Sequence, residues 1–282
     1  MSRVAVVTDS TAALPAELAD RFAVTVVPVQ VVVDGVAGLE GIDVPPARVA
    51  AALRDRVPVS TSRPTPAELQ KAYDGAGAGG AEAIVSVHLS GELSGTADSA
   101  RLAAVGTNVP VIVVDSRSTV MGLGFAVLAA AEAAAAGADN EAVAACAQQV
   151  AAASSVLFCV DTLEYLRRGG RIGAAAALIG TALSVKPILR ITDGRIALAE
   201  KVRTTSKALA RLGDLAVAAA GDGPVDAAVH YLAAPERANA MADRLRTEVR
   251  HLRSLYVTEV GATVAAHTGP GVLGVVISPH RS

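Results

Sequence analysis

A chain of 282 residues, 52% of them hydrophobic, is long enough to bury one large core or two of ordinary size. Aromatics make up only 2% and Trp is absent, so Ala, Val and Leu must fill the interior, and a pocket lined by stacking rings is not expected. A formal charge of −2 and a pI near 6.2 leave no basic field of the kind that drives nucleic-acid binding, so no nucleic-acid partner is expected.

Cys146 and Cys159 show no CxxC spacing and no clustered histidines, which argues against a zinc site or a disulfide framework. They read as small buried apolar groups. The opening "MSRVAVVTDSTAALP" lacks the apolar h-region of a signal peptide. Charged and amide residues break every Ala/Val run before the roughly 20 residues that a membrane span needs. The expectation is a soluble, cytoplasmic protein with no transmembrane segment.

In chain order, strand "VAVVT" (4–8) precedes helix "LPAELADRF" (14–22) and an extended run "VTVVPVQVVV" (24–33). Helices "PPARVAAALRDR" and "TPAELQKAYDGA" follow, then strand "AIVSV" (83–87), helix "SGTADSARLAAV" and strand "VIVVD" (111–115). The Ala/Gly stretch 74–83 reads as a loop. Continuous apolar strands separated by helices predict a parallel sheet covered on both faces, a Rossmann-like α/β domain. Ligands of such sheets gather beyond the carboxyl ends of the strands. The Ser/Thr-rich loops 8–11, 60–66 and 89–96 follow these strands and are expected to converge at that edge.

Two helices, about 119–136 and 139–153, lead to strand "VLFCV" (156–160), where the style changes. Asp193-Gly194 separates two extended runs as a tight hairpin does. Helices "TTSKALARLGDLAVAAA" and "PERANAMADRLRTEV" alternate with strands "VDAAVHYL", "LYVTEV", "ATVAAHT" and "LGVVIS". The second half therefore reads as an α+β-like, mixed-sheet domain, with the boundary near 155: domains 1–155 and 156–282.

The loop "LSGELSGT" sets Ser90, Ser94 and Thr96 around Gly91 and Gly95 before a helix, an arrangement suited either to anion binding or to plain capping by Ser94. In "TSRPTPAEL", Thr65 is placed to cap a helix with Pro66 at its first position and Glu68 at its third. Thr61 and Ser62 remain open between satisfying the loop and meeting a ligand. His267, between an apolar run and a Gly-Pro-Gly turn, reads either as a hydrogen-bonded structural residue or as a functional one, and His88 is placed near the same crevice. Arg167 and Arg168 fall in the last turn of a short helix ending at Gly169-Gly170, where positive charge complements the helix C-terminus. Arg171 lies outside that turn; with Arg203 it reads either as solvated charge or as a contact for an anion or an acidic partner. The chain has no GxxxxGK[ST], GxSxG or HExxH, and its early "TDST" is not GxGxxG, so the residues alone stop at a two-domain protein that binds an anionic small molecule.

Taken in order, "TDSTAALP", "TSRPTP", "LSGELSGTADSA", "VDSRSTVMGLG", "TLEYLRRGGRIG", "VKPILRITDGRI", "KVRTTSKAL" and "HTGPGVLG" resemble the DegV family, from residue 8 to residue 274. The resemblance implies the DegV fold and a buried long-chain fatty acid such as palmitate or oleate, with no further cofactor and no metal. It also implies a partner: family members with assigned activity are the fatty-acid-binding subunit of bacterial fatty acid kinase, holding the acid while a separate ATP-dependent subunit phosphorylates its carboxylate. The chain would then be a lipid carrier and not itself an enzyme, with transient membrane contact for lipid exchange. Carried over by motif, Thr61, Ser62, Ser94 and His267 are the carboxylate site, and Arg171 and Arg203 serve kinase docking or contact with the acyl phosphate. Where family loops often read TSQP and SGTYQSA, this chain has Arg63 and Ala97-Asp98, which adds a cation near the ligand loop and removes an aromatic.

Burial of a tail of about 14 methylenes at ~0.8 kcal/mol each gives a gross ~11 kcal/mol before ordering costs, so apolar walls alone suffice for tight binding. The head group then needs only a few donors to avoid an unpaired buried carboxylate. Two rival readings remain: a hydrolase or transferase acting on a small anionic metabolite, with Ser94 as nucleophile, His267 as base and Asp9 or Asp115 as orienter, and a noncatalytic scaffold docking an acidic partner through Arg171 and Arg203.

Overall fold

A computed structural model describes residues 3–178 and 185–280. The elements in chain order are Val4–Asp9 (β1), Ala16–Arg21 (α1), Thr25–Val27 (β2), Gln30–Val33 (β3), Val36–Leu39 (β4), Pro46–Arg54 (α2), Val59–Ser62 (β5), Pro66–Ala78 (α3), Ala83–His88 (β6), Thr96–Ala104 (α4), Val111–Asp115 (β7), Val120–Ala135 (α5) and Asn140–Ala153 (α6). They continue with Ser155–Cys159 (β8), Glu164–Arg168 (α7), Lys186–Thr192 (β9), Arg195–Val202 (β10), Thr205–Ala220 (α8), Val225–Tyr231 (β11), Pro235–Glu248 (α9), Leu252–Glu259 (β12), Ala262–Thr268 (α10) and Leu273–Pro279 (β13). Two compact units result: 1–30 with 62–153, and 154–282 with 31–61. A cut near 155 would leave segment 31–61 in the first domain, whereas the structure groups it with the second.

The first unit is built on a four-stranded parallel sheet ordered β2-β1-β6-β7. Every residue of β6 is buried, as expected of a parallel strand covered on both faces. On one face Leu69 and Tyr73 of α3 and Ala100 and Ala103 of α4 pack on Val7, Val27 and Ile84. Helix α5 is apolar nearly all round, with its residues 120–127 all buried, which marks it as an internal helix. The capping box at α3 forms as its residues predict: the Thr65 hydroxyl accepts from the Glu68 amide and the Glu68 carboxylate accepts from the Thr65 amide. That helix continues through Asp74–Ala78, expected as loop; its glycines are tolerated because Leu69 and Tyr73 anchor it to the sheet. The run 24–33 is two strands, because Pro28 has no amide hydrogen to continue a ladder.

The second unit holds a six-stranded mixed sheet ordered β10-β9-β8-β13-β11-β12, in which only β11 and β12 pair in parallel. Helices α8 and α9 cover one face, setting Leu212, Ala216, Met241 and Leu245 on Leu157, Ile188, Val229 and Val275. The hairpin at Asp193-Gly194 forms with both residues at positive φ, 52° and 79°, the backbone that a two-residue loop between twisted strands requires. Strands β3, β4 and β5 make a separate small sheet ordered β4-β3-β5. The α/β class, with a parallel and a mixed sheet, is as the sequence predicts. One element is not: "ATVAAHT" is helix α10, not a strand. A short apolar run carries no decisive period, and its three alanines favour helix.

Candidate functional site

Helix α10 carries His267 in its last turn. Its N-cap, Gly261, has no side chain to bind the first amides. Glu40, buried in the loop after β4, does so instead: its carboxylate accepts from the Thr263 amide at 2.8 Å and from the Thr263 hydroxyl at 3.0 Å. A carboxylate on orphan amides at a helix N-terminus is stabilising, so segment 31–61 fixes where α10 begins. The helix ends at Gly269, which has φ 73°; a Cβ there would lie 2.1 Å from the Tyr165 ring, so only glycine fits.

This places His267 Nε2 at 2.9 Å from Thr61 Oγ1 on β5. The other ring nitrogen, Nδ1, is buried and has no hydrogen-bond partner among the described residues. Burial first, and the positive charge of Arg171 second, push the His267 pKa down to about 4, so the imidazole is neutral at pH 7. Arg171 itself donates through Nη1 to the Gly169 carbonyl. Arg167 and Arg168 both bind Glu164, whose carboxyl they hold down at about 2. Arg203 is exposed immediately before Thr204, the cap of α8.

Ser94 lies in the first unit, in the loop ahead of α4. The structure does not make it a cap: Gly95 is the N-cap, no side chain bonds the first amides, and the Ser94 hydroxyl sits 2.9 Å from that of Thr96. The loop is anchored through the Ser90 amide to the Ser118 carbonyl and through the Gly91 amide to Asp115. Arg63 reaches it, with Nη1 3.5 Å from the Gly95 carbonyl, so the additional cation does stand beside the Ser94 loop. Ser62 is exposed, its hydroxyl making only a long 3.5 Å contact with the Arg63 carbonyl. Of the four residues singled out for a carboxylate, then, Thr61 and His267 meet within the second unit, while Ser62 and Ser94 belong to the first.

His88 is fully buried and committed. Its Nδ1 lies 2.9 Å from Asp9 Oδ2 and its Nε2 2.7 Å from Ser86 Oγ, which in turn accepts from the Tyr73 hydroxyl at 2.9 Å. Burial pushes the Tyr73 pKa up to about 12. Asp9 also accepts from the Leu89 and Thr11 amides, so this buried chain is a satisfied structural network and not a ligand site. Asp9 is thereby spent on His88, and Asp115 accepts from the Gly91 and Arg117 amides. Because no carboxylate bonds His267 Nδ1 among the described residues, the third member of a nucleophile–base–acid arrangement is missing. The same residues contain no group of three or more His, Cys, Asp or Glu able to hold a metal, and no helix long and apolar enough to cross a membrane. A cleft of about 430 Å³ in the second unit is lined by Arg54, Asp161, Glu236, Arg237, Pro270 and Gly271, a charged wall unsuited to an alkyl chain. Sequence reasoning missed Glu40; an isolated acidic residue in a loop carries no local signal of the distant helix it caps.

A family model described as "Uncharacterised protein, DegV family" matches residues 3–280. The DegV domain-containing protein SCO2569 of Streptomyces coelicolor is 56% identical over 280 residues, covering 99% of both chains. A solved structure from Thermus thermophilus, described as fatty acid binding of a DegV family protein, superposes with a TM-score of 0.93 at 35% identity, covering 99% of this chain and 100% of its own. One from Bacillus subtilis, described as DegV, a fatty acid binding protein, does so at 0.91 and 32%, with the same coverage. Matched end to end in sequence and in fold, the chain belongs to the DegV family.

Proposed function

We propose that this protein binds a long-chain fatty acid such as palmitate or oleate, with the carboxylate received at the Thr61–His267 pair. The observation that carries the reading is that pair: a hydroxyl and a half-buried, neutral imidazole 2.9 Å apart, in a chain 35% identical to a Thermus thermophilus protein described as binding fatty acid. A threonine hydroxyl oriented by a neutral imidazole can donate to a carboxylate without burying a second full charge, the cheaper way to hold a head group away from water. On the resemblance of their motifs alone, Ser62 and Ser94 are proposed as further head-group hydroxyls, and the Ser94 hydroxyl is not spent on a helix cap.

Once the acid is bound, the protein presents its carboxylate to a separate ATP-dependent kinase subunit, docking through Arg171 and Arg203, and then carries the resulting acyl phosphate toward phospholipid synthesis in the cytoplasm. The support is the resemblance of the motifs, and the exposure of Arg203 suits docking. Reconstitution with a bacterial fatty acid kinase subunit, ATP and palmitate tests it. Acyl phosphate should form with the parent protein, fall at least tenfold with Ser94→Ala and His267→Ala, and fall with Arg203→Ala while palmitate affinity stays unchanged. Full turnover in all three variants would remove both the head-group and the docking assignments.

A further inference from the structure

Gly169 closes helix α7 with φ −73° and ψ −8°, an ordinary right-handed backbone that any residue adopts. Conformation therefore does not call for glycine here, and alanine would be favoured through its more restricted unfolded state. Space does call for it. A Cβ at Gly169 would lie 2.2 Å from His267 Nδ1 and 2.9 Å from its Cε1, closer than a methyl group can approach a ring. The nitrogen that Gly169 faces is the one that is buried without a partner among the described residues.

That coincidence bears on which nitrogen holds the proton. A neutral imidazole has one N–H and one lone pair, and here one of them must point at an apolar Cα. An orphaned N–H forfeits a full hydrogen bond in a buried site, so the lone pair is the cheaper one to leave at Nδ1. The proton then sits on Nε2 and is donated to Thr61 Oγ1 at 2.9 Å. The Thr61 hydroxyl hydrogen is left to be given elsewhere.

We infer that Gly169 is a positioning residue for His267: its bare Cα admits the imidazole, denies Nδ1 a partner and so fixes the ring with its proton on Nε2, directed at Thr61. In the Gly169-Gly170-Arg171 stretch the first glycine is thus specified by a histidine far along the chain, while its carbonyl holds the Arg171 guanidinium. The inference rests on the head-group reading for its effect on ligand, but not for its effect on the ring.

The test is a cycle of Gly169→Ala, His267→Ala and the double variant, each delipidated. Palmitate affinity is measured by titration, and the His267 ring nitrogens are observed by ¹⁵N NMR at neutral pH. In the parent, Nδ1 should resonate as an unprotonated, pyridine-type nitrogen. Gly169→Ala should displace those signals and weaken palmitate roughly ten- to hundredfold, about as much as His267→Ala, and the double variant should be no weaker than His267→Ala. If Gly169→Ala binds like the parent while His267→Ala is impaired, the inference falls and the head-group reading stands. If His267→Ala binds like the parent, the head-group reading falls, and the NMR alone decides the inference: unmoved His267 signals in Gly169→Ala overturn it. Should Gly169→Ala fail to fold, the double variant must fold, because the clash is with the imidazole; its failure as well would overturn the inference.

Discussion

Replacing Thr61 with Val removes one oxygen and little volume, and it isolates the hydrogen bond on which the site is built. His267 Nε2 would lose its 2.9 Å partner while Nδ1 already has none among the described residues, leaving a half-buried imidazole with neither nitrogen bonded to a described residue. A buried polar group stripped of its partner costs about 1–3 kcal/mol, offset by a few tenths because Val suits a strand and buries no hydroxyl. The delipidated variant should therefore be ~1–2 kcal/mol less stable in urea, seen as a lower midpoint at unchanged slope. Its palmitate affinity should drop by a further, separate amount of roughly ten- to hundredfold, the worth of one hydrogen bond to a charged oxygen. Thr61→Ser, which keeps the hydroxyl, should recover most of both. An unchanged urea midpoint in Thr61→Val would refute the hydrogen bond, and unchanged affinity would refute Thr61 as a donor to the head group.

The same geometry has further consequences. The His267 pKa lies near 4 in the fold against about 6.5 when unfolded, so the neutral ring contributes full stability above pH 6.5, and this is lost as pH falls toward 4. The shift corresponds to ~3 kcal/mol at most, so the stability difference between parent and His267→Asn, followed by urea unfolding, should move against the parent by up to that amount from pH 7 to pH 4. Glu40→Ala removes both bonds to Thr263; it should cost ~2 kcal/mol and also weaken palmitate binding, because α10 carries His267. Tyr73→Phe strips Ser86 of one partner and should cost ~1 kcal/mol in the same unfolding assay while leaving palmitate affinity untouched, since the network around His88 is closed on itself.

The features legible in the residues are those encoded locally. Thr65, Pro66 and Glu68 announce a capped helix within four positions, and Asp193-Gly194 announces its hairpin in two; both form as read. Alternating apolar strands and helices give the α/β class for the same reason. "ATVAAHT" reads wrongly as a strand because seven residues cannot separate a helical period from an extended one, and the residue that settles its start, Glu40, lies far upstream. The grouping of 31–61 with the second unit has no local signature either, since it depends on tertiary contacts such as the one between Glu40 and Thr263. His267 is legible as a site candidate from its Gly-Pro-Gly context, and Thr61 from its motif. Their pairing at hydrogen-bond distance, and the dependence of the imidazole on the bare Cα of Gly169, need coordinates.

The most direct measurement is mass spectrometry of an organic extract of the purified protein, beside an unrelated protein prepared identically from the same host, followed by uptake of palmitate and oleate after delipidation. Fatty acid binding predicts close to one long-chain acid per protein in the extract, absent from the control, and saturable uptake that Thr61→Val and His267→Ala weaken. No lipid in the extract together with no uptake of either acid would contradict it.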